Sequence, residues 1–207
     1  MRTNIITAIA GLALMPGLGL ANQVQLNFIP DSQSVLVGTT MQVAVGISLL
    51  NIGEPPSLGA YDLNVLFDPS LFGFSSVIFG DPVLGDQLDL FGLGNLQSAT
   101  PGTGSVNLFE LSFDSPADLD AFQAGDFTLF TLTFSALAAG TSPLSLSVNA
   151  LSDASGGPIT FTATDASATA VGVTDTPEPS SVVLLGLGFA ALALLRRRHL
   201  SRNQIQG

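Results

Sequence analysis

Cysteine is absent from all 207 residues. Disulfides, thiolate metal sites and cysteine nucleophiles are therefore excluded. Lysine is absent as well, and the five basic residues are Arg2, Arg196, Arg197, Arg198 and Arg202. Residues 22 to 176 hold 15 of the 16 acids, all but Glu178, and no base, which gives that stretch a formal charge of −15. Such a surface repels nucleic acid and anionic lipid, so neither is expected as a partner of the folded domain. Ion pairs cannot stabilise it, and its stability must come from apolar burial, backbone ladders or bound divalent cations.

The same absences empty the catalytic inventory. The single histidine, His199, lies in the basic C-terminal tail. Without His, Cys or Lys in the central stretch, triads, thiol catalysis and Schiff-base chemistry are excluded. Paired carboxylates could still hydrolyse glycosides. Glu110 is the most unusual acid, because it interrupts apolar residues, but it is expected at an exposed strand position rather than as a general acid. The chain is read as non-enzymatic. Tryptophan is missing and Tyr61 is the one tyrosine, so the flat aromatic platform typical of polysaccharide binding is disfavoured.

Turning to what is present, Arg2 followed by apolar Ile5 to Leu14 and by Gly19-Leu20-Ala21 reads as a signal peptide over residues 1–21, with cleavage between Ala21 and Asn22. At the other end, Pro177-Glu178-Pro179-Ser180 precedes an uncharged apolar run, Val182 to Leu195, which stops at Arg196-Arg197-Arg198. Two prolines around a carboxylate give an extended, accessible tether, here a linker over 174–180. A helix of 14 residues is roughly 21 Å long, short against a hydrocarbon core of about 30 Å. Ser180, Ser181 and the arginine stems can extend it, so a transmembrane helix is expected over 181–195. The arginines keep the tail 196–207 cytoplasmic and leave everything before Pro177 outside.

That order of features resembles the PEP-CTERM sorting signal of Gram-negative bacteria. The resemblance implies processing by an exosortase-type membrane protease near Pro177–Ser180. It further implies a transient inner-membrane anchor, then a place at the cell surface or outside it, associated with extracellular polysaccharide, biofilm or a surface protein.

Between the two ends, apolar residues alternate with period two. Val24, Leu26 and Phe28, then Met41 to Leu49, then Tyr61, Leu63, Val65 and Phe67 each read as half-buried strands. Further strands are expected over Leu71–Phe79, Val106–Phe113, Phe127–Leu137, Leu144–Val148 and Ile159–Val173. Ser115-Pro116 reads as a cap and first turn of one short helix through Phe122. Asp81 to Gly104 is the least regular part, an excursion over one sheet. Eight to ten strands with frequent turns predict an all-β, antiparallel sandwich over 22–173.

Val37 to Val43, Gly59-Ala60-Tyr61-Asp62-Leu63, Phe67-Asp68-Pro69-Ser70-Leu71 and Gly125 to Phe134 occur in an order that resembles the cohesin domain. The resemblance implies a jelly-roll β-sandwich and a sheet face that takes a dockerin-bearing partner. Other readings are a carbohydrate-binding module and a secreted glycan-active protein that uses only carboxylates. Two acidic sets, Asp81, Asp86 and Asp89 in the excursion and Asp114, Asp118 and Asp120 around the helix, are candidate ligands of a structural Ca²⁺, since hard oxygens in loops suit that ion. Neither has EF-hand spacing, and a plain solvated acidic surface is the alternative. No other cofactor is expected.

Overall fold

The computed structural model describes residues 23–53, 55–172, 187–189 and 192. The expected signal peptide with its Ala21–Asn22 junction, Pro177 to Ser180, most of the expected membrane segment and Arg196 to Arg198 lie outside the described residues. Among the described residues no helix is long and apolar enough to cross a membrane.

The period-two segments become strands in chain order: β1 Val24–Ile29, β2 Ser32–Leu36, β3 Thr40–Ser48, β4 Leu58–Leu66, β5 Phe72–Phe79, β6 Asn95–Gly102 and β7 Ser105–Ser112. The helix α1, Pro116–Phe122, precedes β8 Phe127–Ala136, β9 Gly140–Asp153, β10 Phe161–Thr164 and β11 Ala166–Val171. They form two packed sheets, β10-β1-β3-β8-β5 and β2-β11-β9-β4-β7-β6. Nearly every inward position of the alternation is apolar in the central strands, Glu110 and Ser142 excepted. Leu26, Val45, Phe130, Leu132 and Phe134 from one sheet meet Tyr61, Leu63, Val65 and Leu108 from the other. Rings close the gap between layers, with Tyr61 and Phe130 centred 5.8 Å apart and Phe67 and Phe134 5.0 Å apart. Each large side chain so buried contributes about 1.5–3 kcal/mol.

The helix begins where capping chemistry puts it. The Ser115 hydroxyl accepts from the Asp118 N–H, Pro116 occupies the first turn, and Leu119 is buried.

The antiparallel sandwich has two features that the sequence does not announce. Most ladders are antiparallel, but β1 pairs with β10 and β2 with β11 in parallel. Parallel neighbours need a long crossover, and here nearly the whole domain separates the paired strands. The stretch from Asp81 to Gly104 is also more regular than its sequence suggests, because its second half is the edge strand β6. That strand lacks the expected signal: its inward side carries Asn95 and Gln97, Leu96 points outward, and Pro101 sits where only an edge tolerates it. The first half leaves β5 through Gly80 (φ 84°) and rejoins at Gly94 (φ 93°), both in the left-handed region that favours glycine. A Cβ at Gly80 would lie 3.0 Å from the Asp86 Cα, so the excursion folds back closely on its own start.

Candidate binding face and a buried carboxylate cluster

The outer side of the six-stranded sheet has no second layer over it among the described residues. Register places outward side chains in cross-strand rows. Leu96, Leu111 and Ala60 form one, Ser98, Phe109, Asp62 and Ala150 the next, and Thr100, Asn107, Asn64 and Ser147 a third. The centre is a polar network. Asp62 Oδ1 accepts from Asn107 Nδ2 at 2.6 Å and from Asn149 Nδ2 at 3.0 Å, and Asn107 also donates to Asn64 Oδ1 at 3.2 Å. One end is apolar, with Leu96, Leu111 and Phe113 exposed. Beyond it Phe91 of the excursion packs edge-on against Phe122 of α1, centroids 5.6 Å apart and both more than half exposed. These aromatics depart from the core role that periodicity gives most phenylalanines.

The inner side of the same strands holds the second feature. Glu110 is not at an exposed strand position as expected; it is 1% exposed, on the inward phase of Val106 and Leu108. Phe109, Leu111 and Phe113 make the opposite phase just as apolar, so periodicity cannot choose between the faces. Glu110 Oε2 accepts from the Tyr61 hydroxyl at 2.7 Å. Its Oε1 accepts from Asn95 Nδ2 at 2.6 Å and Gln97 Nε2 at 2.8 Å. The same two amides donate to Asp86 Oδ2 at 2.7 and 2.9 Å. Burial pushes the Glu110 carboxyl up to about 7; the Gln97 and Tyr61 hydrogen bonds oppose that rise and the Asp86 charge adds to it. Burial also pushes the Tyr61 phenol well above its ordinary value, with the Glu110 charge reinforcing it.

The acids of the two expected calcium sets serve as acceptors for backbone N–H groups and serine hydroxyls. Asp81 takes N–H bonds from Val83, Leu84 and Thr128. Burial would raise its carboxyl, but those bonds outweigh it and hold the group below its usual range. Asp89 accepts from the Gly94 N–H, and Asp86 Oδ1 from the Leu88 N–H. Asp114 Oδ2 accepts from the Leu90 N–H while its Oδ1, buried, has no hydrogen-bond partner. Asp118 accepts from the Ser115 hydroxyl and Asp120 from that of Ser57. Among the described residues no three acids or histidines come together where they could hold a metal ion. The roles of Asn95 and Gln97 could have been found only by placing Glu110 on the inner face, since amides two apart carry no signal of their own.

On the opposite sheet a cleft of about 360 Å³ lies between β1, β3 and β8, lined by Asn27, Ile29, Ser48, Asp81, Asp126 and Thr128. Gly46, at an irregularity in the β3–β8 ladder, also lines it; a Cβ there would come within 3.0 Å of Ile29 Cδ1.

Comparison with known proteins gives one result for the C-terminal segment and one for the sandwich. Residues 175–198 match the PEP-CTERM protein-sorting motif, a mark of exported proteins sorted to the cell surface. No curated protein sequence matches significantly. The sandwich is similar to solved cohesins. A non-cellulosomal cohesin from Archaeoglobus fulgidus superposes with a TM-score of 0.54 at 16% identity, covering 72% of this chain and 91% of that one. The cohesin CaCohA2 from Clostridium acetobutylicum gives 0.54 at 20%, with coverages of 72% and 91%. A type I cohesin–dockerin complex from Clostridium thermocellum gives 0.56 at 14%, covering 72% and 100%. This chain therefore carries a PEP-CTERM protein-sorting motif behind a β-sandwich with the cohesin fold.

Proposed function

We propose that the protein is handed to an exosortase-type protease, and that its sandwich binds a partner protein at the surface through the open face of the six-stranded sheet, without catalysis. The observation that carries this reading is the uncovered face itself. A fixed polar centre of Asp62, Asn64, Asn107 and Asn149 stands beside an apolar end of Leu96, Leu111 and Phe113. A pre-organised polar network next to exposed apolar side chains suits protein recognition. The solved complexes of the same fold pair cohesins with dockerins. Glu110, the acid best placed for glycoside chemistry by sequence, is buried and spends its oxygens on Tyr61, Asn95 and Gln97, which speaks against a carboxylate-only enzyme.

The test is pull-down of dockerin-bearing proteins by the exported protein, comparing wild type with Asp62→Ala and Leu111→Ser. Capture lost in both variants, with unchanged melting, supports the face. Capture by neither wild type nor variants removes the dockerin reading. Intact-mass analysis with and without the exosortase tests the sorting step, with loss of the residues following the Pro-Glu-Pro segment expected only when the protease is present.

The cleft beside Asp81 and Asp126 favours a second reading, a polar matrix sugar held by carboxylates and hydroxyls rather than by aromatic rings. Affinity electrophoresis in soluble exopolysaccharide separates the two. Retardation that Gly46→Val abolishes and Asp62→Ala leaves intact would favour sugar at the cleft.

A further inference from the structure

The Glu110–Asp86 cluster is used by neither binding reading. Both hydrogens of the Asn95 amide and both of the Gln97 amide are committed, one from each to Glu110 and one to Asp86. The groups facing Glu110 are Tyr61 on β4, Asn95 and Gln97 on β6 and Asp86 on the excursion. None is cationic, and residues 23–172 contain no Lys, Arg or His. Two neighbouring carboxylates with no counter-charge, one of them buried, cannot both ionise cheaply. Glu110 cannot move away, since it pairs with Tyr61 on one side and Gln97 on the other inside the sheet. Asp86 can, because it stands on the excursion next to an edge strand.

The geometry points to a protonation latch, in which Glu110 and Asp86, joined through the Asn95 and Gln97 amides, hold the segment from Asp86 to Gln97 against the sandwich and loosen it when Glu110 loses its proton. Two further anchors within the segment carry no ionisable group. Leu88 is buried, and Gln87 accepts from the Ala124 N–H and, through its carbonyl, from the Gln123 amide. They limit the change to a local opening. The latched segment includes Phe91, which packs on Phe122, and Gly94, which lies beside Phe113. The latch thereby sets the shape of the apolar end of the open face according to pH, whatever partner that face takes.

Native-state hydrogen exchange on the full chain in detergent tests this, at about pH 5.5 and about pH 8, with protection corrected for intrinsic exchange and referred to β3 and β8. Protection between residues 86 and 97 should fall by roughly tenfold relative to those strands on going to the higher pH. Glu110→Gln should flatten the dependence. Asp86→Asn should shift it to lower pH, because the neighbouring charge is gone. Protection of 86–97 that tracks β3 and β8 at both pH values overturns the latch, as does a Glu110→Gln protein with the wild-type dependence. Should Glu110→Gln fail to fold, an unchanged dependence in Asp86→Asn overturns it alone.

Discussion

Asp81, where the excursion begins, and Glu110, on the neighbouring strand β7, answer the lack of cations in opposite ways. Asp81 sits at the surface of a turn and gathers three backbone N–H groups, which favour its charge and hold its carboxyl below the usual range. Glu110 lies between the sheets and gathers two amides and a phenol, too few to offset burial, so its carboxyl rises to about 7. The lesson is that hydrogen-bond donors alone can replace counter-ions at a surface but not in a core. Asp68, held low by its Ser70 bonds, belongs with Asp81.

The strongest way to break this contrast is to titrate it. Glu110 binds its proton more tightly folded than unfolded, so its contribution to stability is complete below the ordinary value of 4.5 and is lost as pH rises to about 7. Urea melts should lose on the order of 2–4 kcal/mol between pH 4.5 and pH 8, and Glu110→Gln should remove most of that slope. Asp81 and Asp68 act with the other sign, since their contribution is present above the ordinary carboxylate value and disappears as pH falls through their lowered ones. Maximum stability therefore falls in the mildly acidic range; a maximum above neutrality would sink the assignment of Glu110.

Asp81→Ala should cost about 1–2 kcal/mol at pH 6 by freeing the Thr128, Val83 and Leu84 N–H groups, read as a lower urea midpoint with unchanged slope. Tyr61→Phe sharpens the other side. Removing the hydroxyl should cost about 1 kcal/mol and push Glu110 further up, so the pH-dependent loss extends to higher pH than in wild type. The smallest effect concerns metal. Millimolar calcium or a chelator should move Tm by no more than about 1 °C, and a rise of several degrees with calcium would mean that the acids answer to an ion after all.

Much of the sandwich could be read from alternation. Leu26, Val45, Tyr61, Leu63, Phe130 and Phe134 are all buried where period two places them, and Ser115-Pro116 starts the helix as capping chemistry requires. Alternation failed where a strand's inward side faces a carboxylate instead of the core. In β6 Asn95 and Gln97 point in and Leu96 points out, so alternation carries no strand signal there unless Glu110 is placed on the inner face. Glu110 was itself ambiguous because both phases of β7 are apolar. The acidic sets were legible as sets, but not the direction their oxygens take. Sequence proximity brings Asp81, Asp86 and Asp89 together, but each turns its oxygens to a different donor, Asp81 to the Leu84 N–H, Asp89 to the Gly94 N–H and Asp86 to the Asn95 amide on β6. Asp62, Asn64, Asn107 and Asn149 come from three strands, and only register assembles them.

The parallel pairings of the terminal strands bear on how such a domain takes a load applied at its C-terminal side. A tug on the end of β11 runs lengthwise along its ladders with β2 and β9. Rungs loaded in shear give way together, whereas a hairpin pulled open at its mouth unzips one rung at a time. Having the first strands of the sandwich clasp the last thus turns the margins of the fold into the part that resists such a pull.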